Sequence, residues 1–396
     1  MSKLTVRWHQ SIREIPESQW DALVGESTTL FYKWRWLDAL EASESVAQKQ
    51  GWQPIHLGLW EGMKPIAFAP LYLKGHSYGE FIFDQPFARL AHELRLNYYP
   101  KLIGMSPFSP IQGYKFFVAY GENANELTKL IFHTIDKFAI KNKIISCNFL
   151  YVDNEWRLVA EKAGCATWLN QQSLWSANNQ ENFSDYLASF NANQRRNIKK
   201  ERKAVKAQGI KVSAITGDAI EPEILKSMYI FYDRHCAKWG PWGSKYLSPK
   251  FFEKLNISQI KKYIVLFTAF RDNPRDAVAM SLCVADKHHL WGRYWGSKEE
   301  INCLHFELCY YAPIEWALAN GIKSFDPGAG GNHKRRRGFI AKPNFSLHRW
   351  YDQRMDKLIR SWLPQANNLL LEEINNINKE LPLKSHGNMY ISPNNS

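Results

Sequence analysis

Near the C-terminal third of the chain, three glycines run directly into a cluster of cations: Asp326-Pro-Gly-Ala-Gly-Gly-Asn-His-Lys-Arg-Arg-Arg-Gly-Phe339. Gly328, Gly330 and Gly331 permit positive φ and can present successive backbone N–H groups, while Lys334, Arg335, Arg336 and Arg337 add fixed charge and bidentate donors. The chemistry this predicts is binding of a phosphate, pyrophosphate or carboxylate. The spacing is neither that of a P-loop nor that of a dinucleotide fingerprint, and a solvated basic turn is the alternative. A second cationic feature is the run from Asn193 to Gln208. As a helix it places Arg195, Lys199, Arg202 and Lys206 on one stripe, with Arg196, Lys200 and Lys203 on one flank and Ile198 and Val205 on the core side. Only Glu201 offers an internal counter-charge. Such density suits a long polyanion, and a solubilising face is the competing explanation.

The segment Leu304 to Asn320 is apolar around most of its circumference, which predicts a buried helix, yet it carries His305, Glu307 and Glu315. Beside Arg293 and Tyr294 of the preceding strand, Glu307 or His305 is a candidate base for an attacking amine, aided by a raised carboxylate pKa. The alternative for Glu307 is a structural salt bridge to Arg293 or to the cations at 334 to 337. Cys303, His305 and Cys309 sit too close along one apolar helix for a convincing metal set, so no metal is expected. The loop from Trp239 to Tyr246 carries two indoles and lines either a pocket or a core.

These residues need elements to hold them. In the N-terminal half the pattern predicts a helix from Glu17, strands at Pro54 to Trp60, Pro65 to Leu73 and Tyr78 to Phe83, and a helix near Ala88 to Leu96. An apolar run at Tyr98 to Met105, a helix over Asn123 to Lys141, a strand at Ile144 to Tyr151, a helix at Glu155 to Ala163 and a strand at Ala166 to Trp175 complete it. After polar Ser176 to Glu181 come the basic helix, a strand at Ile210 to Ile215, and helices at Glu221 to Trp239 and Pro249 to Leu255. Strands at Tyr263 to Phe270, Ala277 to Ala285 and His289 to Gly296 follow, then the apolar helix and a strand at Ile322 to Asp326. The similar order in the two halves suggests a duplicated α/β lobe, with Lys101 to Pro110 and Lys323 to Gly331 in the same place. Beyond Arg349 the chain reads as one long helix, and after Pro382 as a frayed tail.

A chain of 396 residues with 45% hydrophobic content can bury two or three cores. Lysine and arginine total 51 against 38 acidic residues, a net charge of +13 that favours phosphorylated or acidic ligands. No apolar run is long enough to span a membrane, the start lacks a signal-peptide core, and the six scattered cysteines read as reduced thiols, so a cytoplasmic location is expected.

With these motifs in view the chain resembles the FemAB-like branch of the GNAT superfamily, predicted N-acyltransferases of the peptidoglycan-biosynthesis type. The resemblance covers nearly the whole chain. It rests on Gly104-Met-Ser-Pro-Phe-Ser-Pro110, Asn193-Gln-Arg-Arg-Asn-Ile-Lys-Lys200 and Phe231-Tyr-Asp-Arg-His-Cys-Ala-Lys-Trp239, and most on Gly292-Arg-Tyr-Trp-Gly-Ser297, Leu304-His-Phe-Glu-Leu-Cys-Tyr-Tyr311 and Gly328-Ala-Gly-Gly-Asn-His-Lys334 with Arg337-Gly-Phe339. It implies mixed α/β sheets in tandem GNAT-like lobes with a C-terminal helix, divided as 1–176, 182–350, a helix at 351–382 and a tail at 383–396. It also implies transfer of an acyl or aminoacyl group to an amine, with carry-over onto Arg293, Tyr294, His305, Glu307, Gly328, His333 and Lys334. The family loop is expected to read Gly-Ala-Gln-Gly-Glu-His-Lys. Here Gly330 and Asn332 replace the Gln and Glu, which shifts the base to Glu307. Gly296-Ser-Lys-Glu-Glu likewise replaces the pyrophosphate loop of acetyl-CoA enzymes.

The expected assembly is therefore Glu307, His305 and Tyr294 as catalytic groups. Donor or anion binding falls to Arg293, Gly328, Gly330, Gly331, His333, Lys334 and Arg337, extended by Arg195, Arg196, Lys199 and Arg202. No tightly bound cofactor is expected; acyl-CoA or aminoacyl-tRNA is the co-substrate and an amine the acceptor. A catalytically silent protein that binds tRNA or another polyanion is the competing expectation, and a transient contact of the basic face with anionic membrane a third.

Overall fold

The computed structural model describes residues 4–240 and 243–384. Two residues of the predicted indole loop, Pro241 and Trp242, and the tail from Ser385 lie outside the described residues. Contacts divide the chain into two compact units, Met1–Asn170 with Pro343–Leu371, and Gln171–Lys342 with Glu372–Ser396. The strands are β1 (Leu4–His9), β2 (Trp52–Pro54), β3 (His56–Glu61), β4 (Lys64–Ala69), β5 (Tyr72–Lys74), β6 (Lys101–Gly104), β7 (Phe117–Val118), β8 (Ser146–Phe149), β9 (Ala166–Ser176), β10 (Lys211–Thr216), β11 (Ile264–Phe270), β12 (Ala277–Ala285), β13 (His289–Ser297), β14 (Ser324–Asp326) and β15 (Ile340–Trp350).

The first unit holds a four-stranded sheet, β1–β3–β4–β7, and a second sheet ordered β2–β5–β6–β8–β15. The second unit is built on β10–β11–β12–β13–β14–β9. β5 and β6 are antiparallel, β6 and β8 parallel, and β8 and β15 antiparallel. The same sequence of pairings recurs in β12, β13, β14 and β9. The duplication is real at the level of topology, but its register differs from the expectation. Lys101 to Pro110 corresponds to β13 and the turn after it, and the counterpart of Ser324–Asp326 is β8.

In each unit the parallel pair separates at its carboxyl end, with different results. Past Gly104 and Phe149 the first unit closes the gap with its own chain. Tyr114 forms a parallel bridge to Val152, and its ring fills the space over Gly104, where any Cβ would collide with it. The Tyr114 hydroxyl donates to the Pro70 carbonyl at 2.9 Å. In the second unit β13 and β14 pair only over His289–Trp291 and Ser324–Asp326. β13 then runs on to Ser297 with no strand beside it on that side among the described residues.

Other expectations are corrected. Tyr78 to Phe83 is not a strand: Gly79 and Phe81 have positive φ, and buried Glu80 is turned inward to Lys101 Nζ at 2.8 Å. Ile340–Trp350, unassigned from sequence, is an eleven-residue strand, and the expected C-terminal helix follows it. That helix, Gln353–Lys379, is divided between the units after Leu371. Leu383 and Lys384, expected in the tail, are ordered: Leu383 bridges Phe190 and the Lys384 amide donates to the Ser189 carbonyl. Among the described residues no helix is long and apolar enough to cross a membrane. All six cysteines are free thiols.

Candidate functional site

Every residue assigned a role from sequence falls in the second unit, which also contains the open end of the β13/β14 pair. β13 reaches that point through a bulge. Leu282 faces Tyr294 while Cys283 faces Gly292, so Arg293 is the extra residue. A bulge of this kind re-aims a side chain and ends regular pairing. The Arg293 side chain is 3% exposed and its guanidinium stands 4.0 Å from Asp326 at the end of β14. Tyr294 projects against Tyr232 and Phe252, its hydroxyl buried and without a hydrogen-bond partner among the described residues. Burial pushes that phenol above the ordinary tyrosine range, so it stays protonated. Trp295 packs instead against His305, ring centroids 5.2 Å apart. Tyr294 and His305 therefore contact different neighbours and are not in one cluster.

The glycine loop is folded on itself more than the sequence suggests. Gly328, Gly330 and Gly331 all have positive φ, as their spacing predicts. Yet the Gly328 amide donates to Asp326 Oδ1 at 2.7 Å, and Lys334 Nζ donates to the Gly328 carbonyl at 2.6 Å. Gly328 is thus part of the loop's own closure rather than a free donor. Lys334 is buried at 3% exposure, and burial, opposed by Asp326 and reinforced by Arg293, lowers its pKa to about 8. Burial likewise raises Asp326, against the pull of Arg293 and Lys334.

After the glycines a 3-10 turn, Asn332–Arg337, carries His333 over Gly331. His333 Nε2 hydrogen-bonds the Tyr310 hydroxyl at 2.7 Å, and its ring centroid is 5.5 Å from that of His305. Burial, helped by Arg337 and Lys334, lowers the His333 pKa. His305 is lowered much further, to about 3, by burial and then by His333. An imidazole that weakly basic is neutral throughout the physiological range and orients a partner rather than removing its proton.

The predicted helix Leu304 to Asn320 forms, with a π-helical segment at Glu307–Tyr311 between Leu304–Phe306 and Ala312–Ala319. Such segments are frequent at functional sites. Glu307, 5% exposed, is not a free carboxylate. Arg202 of the basic helix Ala192–Ala207 grips it, with Nε donating at 3.0 and 3.1 Å and Nη2 at 2.8 Å, and Nη2 also reaches Glu315 at 2.7 Å. Burial raises the Glu307 pKa and Arg202 opposes the rise. Glu307, expected as the base, is thus a member of an ion pair, whose partner is neither Arg293 nor the 334 to 337 cluster.

Arg202 accordingly leaves the predicted stripe. The helix is capped by Asn191, whose side chain accepts from the Gln194 amide, and it buries Gln194, Ile198 and Val205. Arg195 is half-buried and reaches the Phe190 carbonyl at 3.4 Å. Arg196, Lys199, Lys200, Lys203 and Lys206 are exposed. Arg337 is also turned inward, 2% exposed and paired with Glu201 at 2.8 Å. Sequence reasoning assigned it to the donor; here Glu201 holds it inward. Sequence reasoning assigned no role to Asp326 or to Tyr310; the strand-end position of Asp326 and the place of Tyr310 in the Leu304–Tyr311 motif were the signals available. Cys303, His305 and Cys309 do not converge, and no group of three or more metal-binding side chains occurs among the described residues.

A profile of proteins described as acting in peptidoglycan biosynthesis and recognition matches residues 11–385. Among solved structures, FemX is similar at 12% identity over 90% of this chain and 100% of that one, with a TM-score of 0.50. A protein of unknown function from Bacteroides thetaiotaomicron is similar at 11% identity over 87% and 99%, with a TM-score of 0.46. L-PGS from Bacillus licheniformis is similar at 8% over 75% and 86%, with a TM-score of 0.47. At such identities the FemX likeness bears on the fold alone, and that fold is the expected mixed α/β architecture of two units with a repeated order of strand pairing and a C-terminal helix. No curated protein matches the sequence.

Proposed function

The chain belongs to the FemAB-like family, a family of acyl- and aminoacyltransferases, and from that premise we propose that it moves an acyl or aminoacyl group from a phosphate-bearing donor to an amine. The donor is acyl-CoA or aminoacyl-tRNA, and the product belongs to cell-envelope or peptidoglycan precursor metabolism. The observation that carries the proposal is the open end of β13 past Trp291, on the same strand as Tyr294, whose buried hydroxyl has no hydrogen-bond partner among the described residues. A buried hydroxyl without a partner costs about 1–3 kcal/mol, and such a cost is kept where a ligand supplies the acceptor.

In the transfer, the amine attacks the acyl carbonyl carbon, and the donor's thiolate or ribose oxygen departs. Tyr294 donates a hydrogen bond to that leaving atom, and the charge of Lys334 stabilises negative charge developing at the gap. With Glu307 held by Arg202 and His305 too weakly basic, His333 is the group that takes the proton from the attacking nitrogen. Most of the acceleration comes from positioning.

The test is amide formation from acetyl-CoA and, separately, from a charged tRNA mixture, with a lysine-containing peptide as acceptor and mass spectrometry as the readout. One donor should give product. Tyr294→Phe should slow it by about 10–100-fold while leaving thermal stability equal or higher, since an unsatisfied hydroxyl has been removed. Absence of amide with both donors, together with salt-dependent RNA binding, would favour the silent polyanion-binding protein. What speaks for that second reading is the exposed row Arg196, Lys199, Lys200, Lys203 and Lys206.

A further inference from the structure

The basic helix carries one acid, and it points the wrong way for a counter-charge on a solvated face. Glu201 lies three residues after Ile198 and four before Val205, both buried, so it shares their inward face. Its Oε2 accepts from Arg337 Nη2 at 2.8 Å and from the Tyr311 hydroxyl. Arg337 Nε donates back to the Tyr311 oxygen at 3.1 Å, which closes a three-membered network. The remaining arm of the guanidinium, Nη1, donates to the His333 backbone carbonyl at 2.9 Å. Its plane lies on Phe306, Cζ 3.5 Å from the ring centroid, and Phe306 in turn packs on His333 at 5.7 Å. The same helix holds the loop a second time, through Gln194 Nε2 to the Arg336 carbonyl at 2.7 Å.

We infer that Glu201 is a positioning residue for the transfer reaction: it fixes Arg337, and Arg337 fixes the backbone and ring of His333 against Tyr310. The inference rests on the transferase reading for its consequence in rate, but its geometry stands apart from it. A guanidinium at 2% exposure has few orientations available once three hydrogen bonds and a ring face are satisfied. Without Glu201 it would need another anion or a route to water. His333 would then lose the bond that orders its backbone, in a loop where the three preceding residues are Gly330, Gly331 and Asn332. The charged groups that bear on His333 are Arg337 and Lys334, with His305 across the ring contact. Arg337 lowers the affinity of His333 for a proton, so displacing or deleting that guanidinium moves the imidazole back towards its ordinary range.

The decisive comparison uses Glu201→Gln, which keeps the shape and one acceptor, and the double variant Glu201→Leu with Arg337→Leu, which removes both buried charges. Thermal unfolding, histidine titration by NMR and steady-state kinetics would be recorded on the full chain. A pair that served stability alone would be replaced by the two leucines with stability, His333 titration and kcat all retained, and that result overturns the inference. We expect stability to be largely recovered in the double variant, His333 to titrate at higher pH than in the parent, and kcat to fall about tenfold with donor KM within about twofold. Glu201→Gln should lie between parent and double variant in kcat. If no variant and no parent sample transfers an acyl group, the functional reading fails. The NMR titration still decides whether Glu201 and Arg337 set the state of His333.

Discussion

Replacing Arg202 with leucine should destabilise the protein by about 2–4 kcal/mol near pH 7 and by much less near pH 4. Breaking a buried ion pair from one side typically costs about 3–5 kcal/mol, because the other charge is left behind. Glu307 is that charge: its side chain is 6% exposed and takes all three of its hydrogen bonds to Arg202 at 2.8 to 3.1 Å. The discount reflects Arg202 itself, 19% exposed, and its second partner Glu315, half exposed and screened by solvent. Burial already raises the Glu307 pKa above the 4.5 of a free glutamate, and Arg202 is the main influence holding it down. Loss of Arg202 raises it further. A carboxylate whose folded pKa exceeds its unfolded one takes up its proton first in the folded state, so stability falls as pH rises from about 4.5 through the folded value. Urea unfolding of Arg202→Leu at about pH 4 and pH 7.5 measures the difference. Glu307→Gln should cost less, since Glu315 still holds Arg202, and it should leave the transfer rate within about twofold. A penalty for Arg202→Leu that does not change with pH would refute the pairing. A Glu307→Gln protein of normal stability that transfers about a hundredfold more slowly would restore Glu307 as the base.

Donor affinity should weaken as pH rises through about 8, where Lys334 loses its proton, and Lys334→Met should abolish that step in a KM profile. The same group depresses stability below pH 8, because the unfolded chain keeps this proton up to about 10.5 and the folded one does not. Gly331→Ala should lower kcat by about tenfold or more in the amide-formation assay: a Cβ there would lie 2.7 Å from the His333 ring, at a φ of +88°. If the exposed cations track a nucleic acid, Arg196→Ala and Lys199→Ala should each reduce the salt slope of RNA binding by about 1, measured by filter binding over a range of ionic strength.

The second unit was largely legible in its sequence. The strands at 263–270, 277–285 and 289–296 and the helices around 193–208 and 304–320 follow apolar periodicity, and the structure places them within a residue or two. β15 was harder to read because both of its faces are buried and one of them is polar. Phe345 and Leu347 alternate with Asn344, Ser346 and His348, yet those three are buried as well, and His348 is satisfied by Asn148 at 2.7 Å and Ser346 at 2.8 Å, so the short polar-interrupted run reads from sequence as a loop. The positive φ of Gly328, Gly330 and Gly331 could be foreseen from residue type, but not that Lys334 would close the loop onto Gly328. The pairing of Arg202 with Glu307 joins residues 105 positions apart and has no local signature. A cation on a helix looks the same in sequence whether it meets water or a buried acid.

The order of the strands also bears on how the polypeptide is made. β8 is complete once residue 149 has been synthesised, but the strand that covers its open edge, β15, arrives almost two hundred residues later. At ribosomal speeds of about 5–20 residues per second, that edge stays exposed for roughly 10–40 s while the whole of β10 to β14 is translated. The first unit therefore cannot finish folding as a nascent N-terminal domain. It has to wait until β15 has been translated, and a chain released before Trp350 would carry an uncovered sheet edge with Ser146 and Asn148 lacking the neighbours that bury them.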